Sequence, residues 1–280
     1  MFVPDWGQTL LEFLRHSNED DAYTRWFKLL TPRLTRGELV RTASIKWLDI
    51  GSGPGTKTGR LLRLLNSLSN AVHIDVVEPD PAWATYLAKE LRDAALGGVT
   101  SSFYRSTLQV YGEAQRPNIL DAAGGLVTAF QVLYDGALVE QIAQLIHQRR
   151  NSLFIISAES FDSDLSRLRR EVSCSTNLMC TRSYLPDLVA RTETKTRHIK
   201  TVNILGKRMS ITSESIGELD SPGWFMPFVL GTDFSAYMSL SRTAREKLLG
   251  KIRDWLRLNG PGDCCELRIP DIALIVLPEM

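Results

Sequence analysis

The residues with the clearest chemical content lie in one stretch, WLDIGSGPGTKTGRLL (47–62). An apolar run there passes through Asp49 and enters glycines at 51, 53 and 55. Glycine at alternate positions lets the chain turn sharply and leaves no Cβ to collide with a ligand lying against the backbone. A helical pattern starts directly after the loop, so the first amides are free donors that favour a carboxylate or phosphate. Glu78 ends the next apolar run, within VVEPD (76–80). A carboxylate at that place can accept both hydroxyls of a ribose. Loop and acid each fall at the carboxyl end of a predicted strand, the edge at which open α/β sheets bind ligands.

The elements that must position these residues follow from periodicity. Strands are expected at 45–50, 73–78, 99–104, 125–130 and 152–158, separated by helical patterns at 57–68, from Pro81 to just before Gly97, and over ALVEQIAQLIHQRR. Alternation of this kind implies a parallel sheet with helices on both faces. The first forty residues read as two helices, LLEFLRHS and AYTRWFKLL, with cap-type residues between them. Further on, FDSDLSRLRREV, SYLPDLVA, GWFMPFVLG and SRTAREKLLGKIRDWLRL read as helices. HIKTVNIL and DIALIVL (271–277) read as strands, the last pairing antiparallel at or near the sheet edge. The expectation is one α/β domain over 1–280, with a helical lid at 1–40 and substrate-side insertions at 160–260.

Composition narrows the function classes. Thirty-three Lys plus Arg against 32 Asp plus Glu leave a net charge of +1, so no basic excess points to nucleic acid. Arg167, Arg169 and Arg170 read as a solvated helix face. The N-terminus lacks a signal-peptide pattern, and no apolar run approaches the roughly 18 residues of a membrane span. The four cysteines, at 174, 180, 264 and 265, form no C-x-x-C pair and have no His at ligand spacing. No metal site is therefore expected, and the thiols read as reduced in a cytoplasmic protein. A monomer or weak homodimer acting on a small molecule, without nucleic acid or membrane as partner, is the resulting expectation.

The loop also separates cofactors. The dinucleotide fingerprint G-x-G-x-x-G places its third glycine inside the helix, and a P-loop would end in G-K-[ST]. This loop reads G-S-G-P-G-T, with glycines at alternate positions. Preceded by an apolar strand and Asp49, it resembles the first motif of class I S-adenosylmethionine (SAM)-dependent methyltransferases, and VVEPD resembles their second. The resemblance implies a Rossmann-like sheet that is mostly parallel with a late antiparallel strand. It places Asp49, Gly51, Ser52, Gly53 and Gly55 against the methionine moiety, and Glu78 and Pro79 against the ribose.

The order FLRHSNED, IKWLDIGSGPG, VVEPD, AFQVLYD, LFIISAES and IALIVLPE is similar to that of the histamine N-methyltransferase family of small-molecule methyltransferases. That resemblance implies a substrate carboxylate at Glu19, a Gln-x-x-Tyr pair at Gln131 and Tyr134, and aromatic walls at Trp6 and Phe13. His16 falls in the HS pair of the pattern. Phe130 and Gln131 would border the cofactor. Four residues depart from the family pattern. Pro270 and Asp271 stand where it has an asparagine near the last strand. Trp83 replaces a polar cofactor ligand, and Gln109 falls near a serine on the adenine side. The expected reaction is transfer of a methyl group to a nitrogen of a small amine, imidazole or amino-acid-like molecule, with Glu19 and Gln131 orienting it and Tyr134 closing the pocket. A neutral amine needs only a weak base, and positioning supplies most of the catalysis. The departures also allow a cyclase, in which SAM's own amine attacks its γ-carbon to give an azetidine-2-carboxylate-type product and methylthioadenosine. A non-catalytic scaffold is the remaining alternative, against which the intact loop and Glu78 argue.

Overall fold

The computed structural model of the chain describes residues 6–37, 44–68, 71–95, 97–113, 125–133, 136–176, 184–192, 199–232, 234–259 and 265–278. Among them the strands are β1 (Ile45–Ile50), β2 (Val72–Val77), β3 (Val99–Tyr104), β4 (Gly125–Phe130), β5 (Leu153–Glu159), β6 (Ile199–Ile204), β7 (Arg208–Ile211), β8 (Gly217–Glu218), β9 (Ser221–Pro222), β10 (Cys265–Arg268) and β11 (Asp271–Val276). The first four helices are α1 (Trp6–His16), α2 (Glu19–Gly37), α3 (Thr56–Asn66) and α4 (Ala84–Ala94). No helix of the described residues is long and apolar enough to cross a membrane. The chain divides into two compact units, the larger comprising Tyr23–Ala158, Tyr184–Ile204 and Ile272–Met280, and the smaller Met1–Ala22, Glu159–Ser183 and Leu205–Asp271.

The larger unit carries a seven-stranded sheet in the order β3-β2-β1-β4-β5-β11-β6. Neighbours from β3 to β5 are parallel, and the sheet is mostly parallel with one antiparallel strand. Every residue of β4 and β5 is buried, as helices on both faces require. Side chains alternate between the two cores. Leu153 and Ile155 join Trp47, Leu126 and the Tyr23, Trp26, Phe27 and Leu30 stripe of α2. Phe154 and Ile156 point the other way, toward Leu48, Val127, Ile142 and Ile146. The outer strand β3 is exposed along most of its length. The expected closing strand is β11, and it lies one place in from the edge, beside β6.

Helix α3 shows how local sequence sets the site. Gly55 caps it in a left-handed conformation (φ 83°), and Thr58, Leu61, Leu62 and Leu65 recur at helical spacing on its buried face. Its end is closed by the Ser67 amide on the Leu64 carbonyl. After β2, Asp80 accepts the amide of Ala82 at 2.9 Å and opens the turn Pro81–Trp83, with proline in the first position where its missing N–H costs nothing.

The smaller unit contains α1, helical segments at Asp164–Thr176, Phe225–Leu230 and Arg242–Asn259, and two antiparallel strand pairs, β7 with β10 and β8 with β9. Its core gathers Phe13, Leu168, Met209, Phe225, Tyr237, Leu248 and Ile252. β7 and β10 were not evident from sequence because four residues carry only two apolar positions, Met209 with Ile211 and Cys265 with Leu267. The solvated face expected for the three arginines is corrected at Arg169, which is 6% exposed. It pairs with Glu159 at 2.9 Å and donates to the carbonyls of Phe228 (3.0 Å) and Val229 (3.1 Å), so each nitrogen of this buried ion has a hydrogen-bond partner. Cys174 is exposed and Cys265 buried, both as free thiols; Cys180 and Cys264 lie outside the described residues.

Candidate functional site

In the larger unit the glycine loop leaves β1 and turns through three left-handed glycines, at φ 66° (Gly51), 54° (Gly53) and 83° (Gly55). The three serve different ends. A Cβ at Gly51 would stand 2.3 Å from Val132 Cγ1, and one at Gly55 would stand 2.7 Å from Leu87 Cδ1. At Gly53 a Cβ would meet no atom within 4 Å. Two of the glycines are therefore required by packing, and the middle one faces open space beside the backbone. The Gly51 amide donates to Val77 O at 2.8 Å and the Gly55 amide to Ser52 O at 3.0 Å, which closes the loop on itself and on β2.

Glu78 is 6% exposed, and both of its oxygens face backbone donors. Oε2 accepts the Gly53 amide at 2.9 Å and Oε1 the Asp80 amide at 2.9 Å. Burial pushes its pKa up, and the two amides pull it partly back. Each oxygen keeps lone-pair capacity, so the carboxylate can hold the loop and still accept from a ligand hydroxyl.

Asp49 lies beneath this loop with no exposure. Thr58 Oγ1 donates to its Oδ2 at 2.5 Å, Thr128 Oγ1 donates to its Oδ1, and Trp47 Nε1 in turn donates to the Thr128 hydroxyl at 2.7 Å. Burial raises its pKa, against the lowering effect of these hydroxyls and of the Lys57 charge. Its carboxylate thus joins β1, β4 and α3.

Gln131, directly after β4, has φ 59° and is the one non-glycine with positive φ among the described residues. Such a conformation costs about 1–3 kcal/mol and persists only where surrounding bonds impose it. Here the Gln131 amide donates to Ser157 O at 2.7 Å. Lys57, in the first turn of α3, brings Nζ to 3.5 Å from Gln131 Oε1 and 5.1 Å from the Tyr23 ring centroid. Sequence reasoning missed Lys57. Its only signal was a basic residue two places after the last glycine, which also suits a solvated helix face.

The other expected cofactor residues divide. Phe130 is buried and packs edge-on against Tyr23 (5.8 Å) and Phe27 (5.7 Å). Trp83 is buried and meets Tyr86 at 6.0 Å, while Pro79 is exposed. Gln109 is exposed and donates its side-chain amide to Glu113 at 3.2 Å. Tyr134 and the side chain of Trp6 lie outside the described residues.

Two expected substrate residues, Glu19 and Phe13, belong to the smaller unit, and both are buried. Glu19 Oε2 lies 2.7 Å from Lys207 Nζ, which also reaches both oxygens of Asp271 at 3.1 and 3.2 Å. Phe13 stacks on Phe228 at 4.8 Å, and His16 stacks on Trp224 at 5.4 Å. Among the described residues no group of His, Cys, Asp and Glu is arranged to hold a metal ion.

No family model and no curated protein matches the chain in sequence. Solved structures do match in shape. A cyclopropane-fatty-acyl-phospholipid synthase-like protein from Lactobacillus casei is 12% identical, with 92% of each chain covered and a TM-score of 0.54. The YcgJ protein from Bacillus subtilis is 10% identical over 91% of this chain and 98% of its own, with a TM-score of 0.50. With the strand order and the glycine loop after β1, these likenesses define the fold as the Rossmann-like one of class I methyltransferases.

Proposed function

We propose that the protein binds SAM in the larger unit and transfers its methyl group to a nitrogen of a small amine, imidazole or amino-acid-like molecule. The observation that carries the reading is the pairing of Gly53 with Glu78. It sets a loop with open space at its centre beside a buried carboxylate, at the carboxyl ends of adjacent strands. The N-terminal end of α3 suits the carboxylate end of the cofactor, and Glu78 suits its ribose. When bound, SAM supplies an activated methyl for in-line displacement. The chain's own contribution is positioning. Asp49, through Thr58 and Thr128, keeps the loop in register, and the strained Gln131 directs its side chain from the end of β4. Gln131 and Tyr134 are the residues assigned to the acceptor, in keeping with the resemblance to the histamine N-methyltransferase family.

The test is incubation of the purified chain with SAM, alone and with a panel of small amines and imidazoles, read by mass spectrometry. A methylated amine appearing together with S-adenosylhomocysteine supports the reading. Methylthioadenosine and a cyclic amino acid from SAM alone would replace methyl transfer with cyclisation. Absence of SAM binding by calorimetry would remove the catalytic reading altogether.

A further inference from the structure

The smaller unit contains a second constellation with a definite ligand chemistry, and its geometry is already filled. Phe13, Glu19, Lys207 and Asp271 are 3%, 1%, 2% and 0% exposed. The Lys207 ammonium lies 2.7 Å from Glu19 Oε2, 3.1 Å from Asp271 Oδ1 and 5.4 Å from the centroid of the Phe13 ring. Two carboxylates and an aromatic face are what a desolvated ammonium requires, because burying it without full compensation costs several kcal/mol.

The backbone that delivers this ammonium is held on both sides. The Asn18 side chain donates to Gly206 O at 2.8 Å and accepts the Arg208 amide at 2.6 Å. The Ile269 amide donates to Lys207 O at 3.0 Å. The lysine is therefore a tethered, preorganised occupant whose ordering entropy is met in folding rather than in binding. The wall and acid that the sequence assigns to an incoming amine are engaged by an amine of the chain itself.

We propose that Phe13, Glu19 and Asp271 form a binding cage for a primary alkylammonium ion, filled intramolecularly by Lys207, so that truncating this lysine creates a site for a free amine. A corollary is that Glu19 does not hold the acceptor of the methyl-transfer reaction. The cage lies within one unit, so the proposal stands or falls independently of the SAM reading.

The test uses the full chain carrying Lys207→Ala, which deletes three methylenes and the ammonium. Propylammonium restores those atoms. Thermal unfolding is followed with propylammonium chloride, with propan-1-ol and with sodium chloride at matched ionic strength. The expected result is a lowered Tm that propylammonium alone raises in a saturable way, with no shift of the parent chain beyond the salt control. Where Lys207→Ala does not fold unaided, refolding in propylammonium is expected to recover it. The triple variant Glu19→Gln, Lys207→Met, Asp271→Asn, whose cage is uncharged, is expected to fold without amine and ignore it. Equal rescue by propan-1-ol or sodium chloride, an unchanged Tm without amine response, or failure of every variant to fold in the presence of propylammonium would each overturn the proposal.

Discussion

The amide of Gly53 donates to Glu78 Oε2 at 2.9 Å, joining the apex of the glycine loop after β1 to the residue that follows β2. One carboxylate thus fixes the loop and offers the remaining acceptor capacity at the same edge. Glu78→Ala removes both roles. The loss of a buried charged acceptor is worth about 1.5–3 kcal/mol, so SAM affinity is expected to fall roughly 10- to 150-fold. Calorimetric titration of the variant with SAM checks this, and an affinity within twofold of the parent would count against the assigned site.

Gly53 and Gly55 are expected to respond differently to the same substitution. Gly53→Ala adds a methyl group in open space, so its cost to folding is the left-handed backbone alone, about 1 kcal/mol. Its main effect should be loss of SAM binding. Gly55→Ala drives the new Cβ toward Leu87 in addition to the strain and is expected to destabilise the fold more. Urea unfolding beside S-adenosylhomocysteine titration separates the two. Equal destabilisation by both would contradict the distinction.

Gln131→Gly should stabilise the chain while impairing its function. The left-handed backbone becomes cost-free, although the flexible glycine also stabilises the unfolded state, so the net gain is about 1 kcal/mol. Turnover of the amine is expected to drop because the side chain is lost. A rise in urea midpoint together with lower kcat is the outcome to look for. A variant less stable than the parent would show that Gln131 is not strained as its φ implies.

Burial of Asp49 makes stability depend on pH in a definite direction. Its folded pKa is raised above the ordinary 3.8, so the folded state binds the proton more tightly than the unfolded chain. The contribution is complete below 3.8 and is lost as pH rises through the raised value. Asp49→Asn abolishes this linkage, so the stability of the variant relative to the parent should increase over that window. Urea midpoints measured at a series of pH values give the comparison. Glu78, raised by burial in the same sense, should behave likewise as Glu78→Gln.

Much of the larger unit was legible in the sequence because its signals are local. β1, the glycine run and α3 follow one another within a few residues, and the mostly apolar runs of β4 and β5 announce a sheet covered on both faces. The place of Glu78 at the end of β2 was legible for the same reason, since it follows directly from the apolar run before it. The buried partners of Asp49 and Glu19 were not. Each is a carboxylate whose partner comes from a distant part of the chain, Thr128 for Asp49 and Lys207 for Glu19.

The sequence by itself determined the alternating α/β order, the loop and the acid that suit a nucleoside cofactor, because turn chemistry and hydrophobic period act over neighbouring residues. Tertiary structure alone decided that Lys207 fills the cage around Glu19, that Lys57 reaches Gln131, and that Arg169 is buried on Glu159. A charged residue has the same local pattern whether it faces water or a buried partner. Only the packing of remote segments supplies that partner and makes burial affordable.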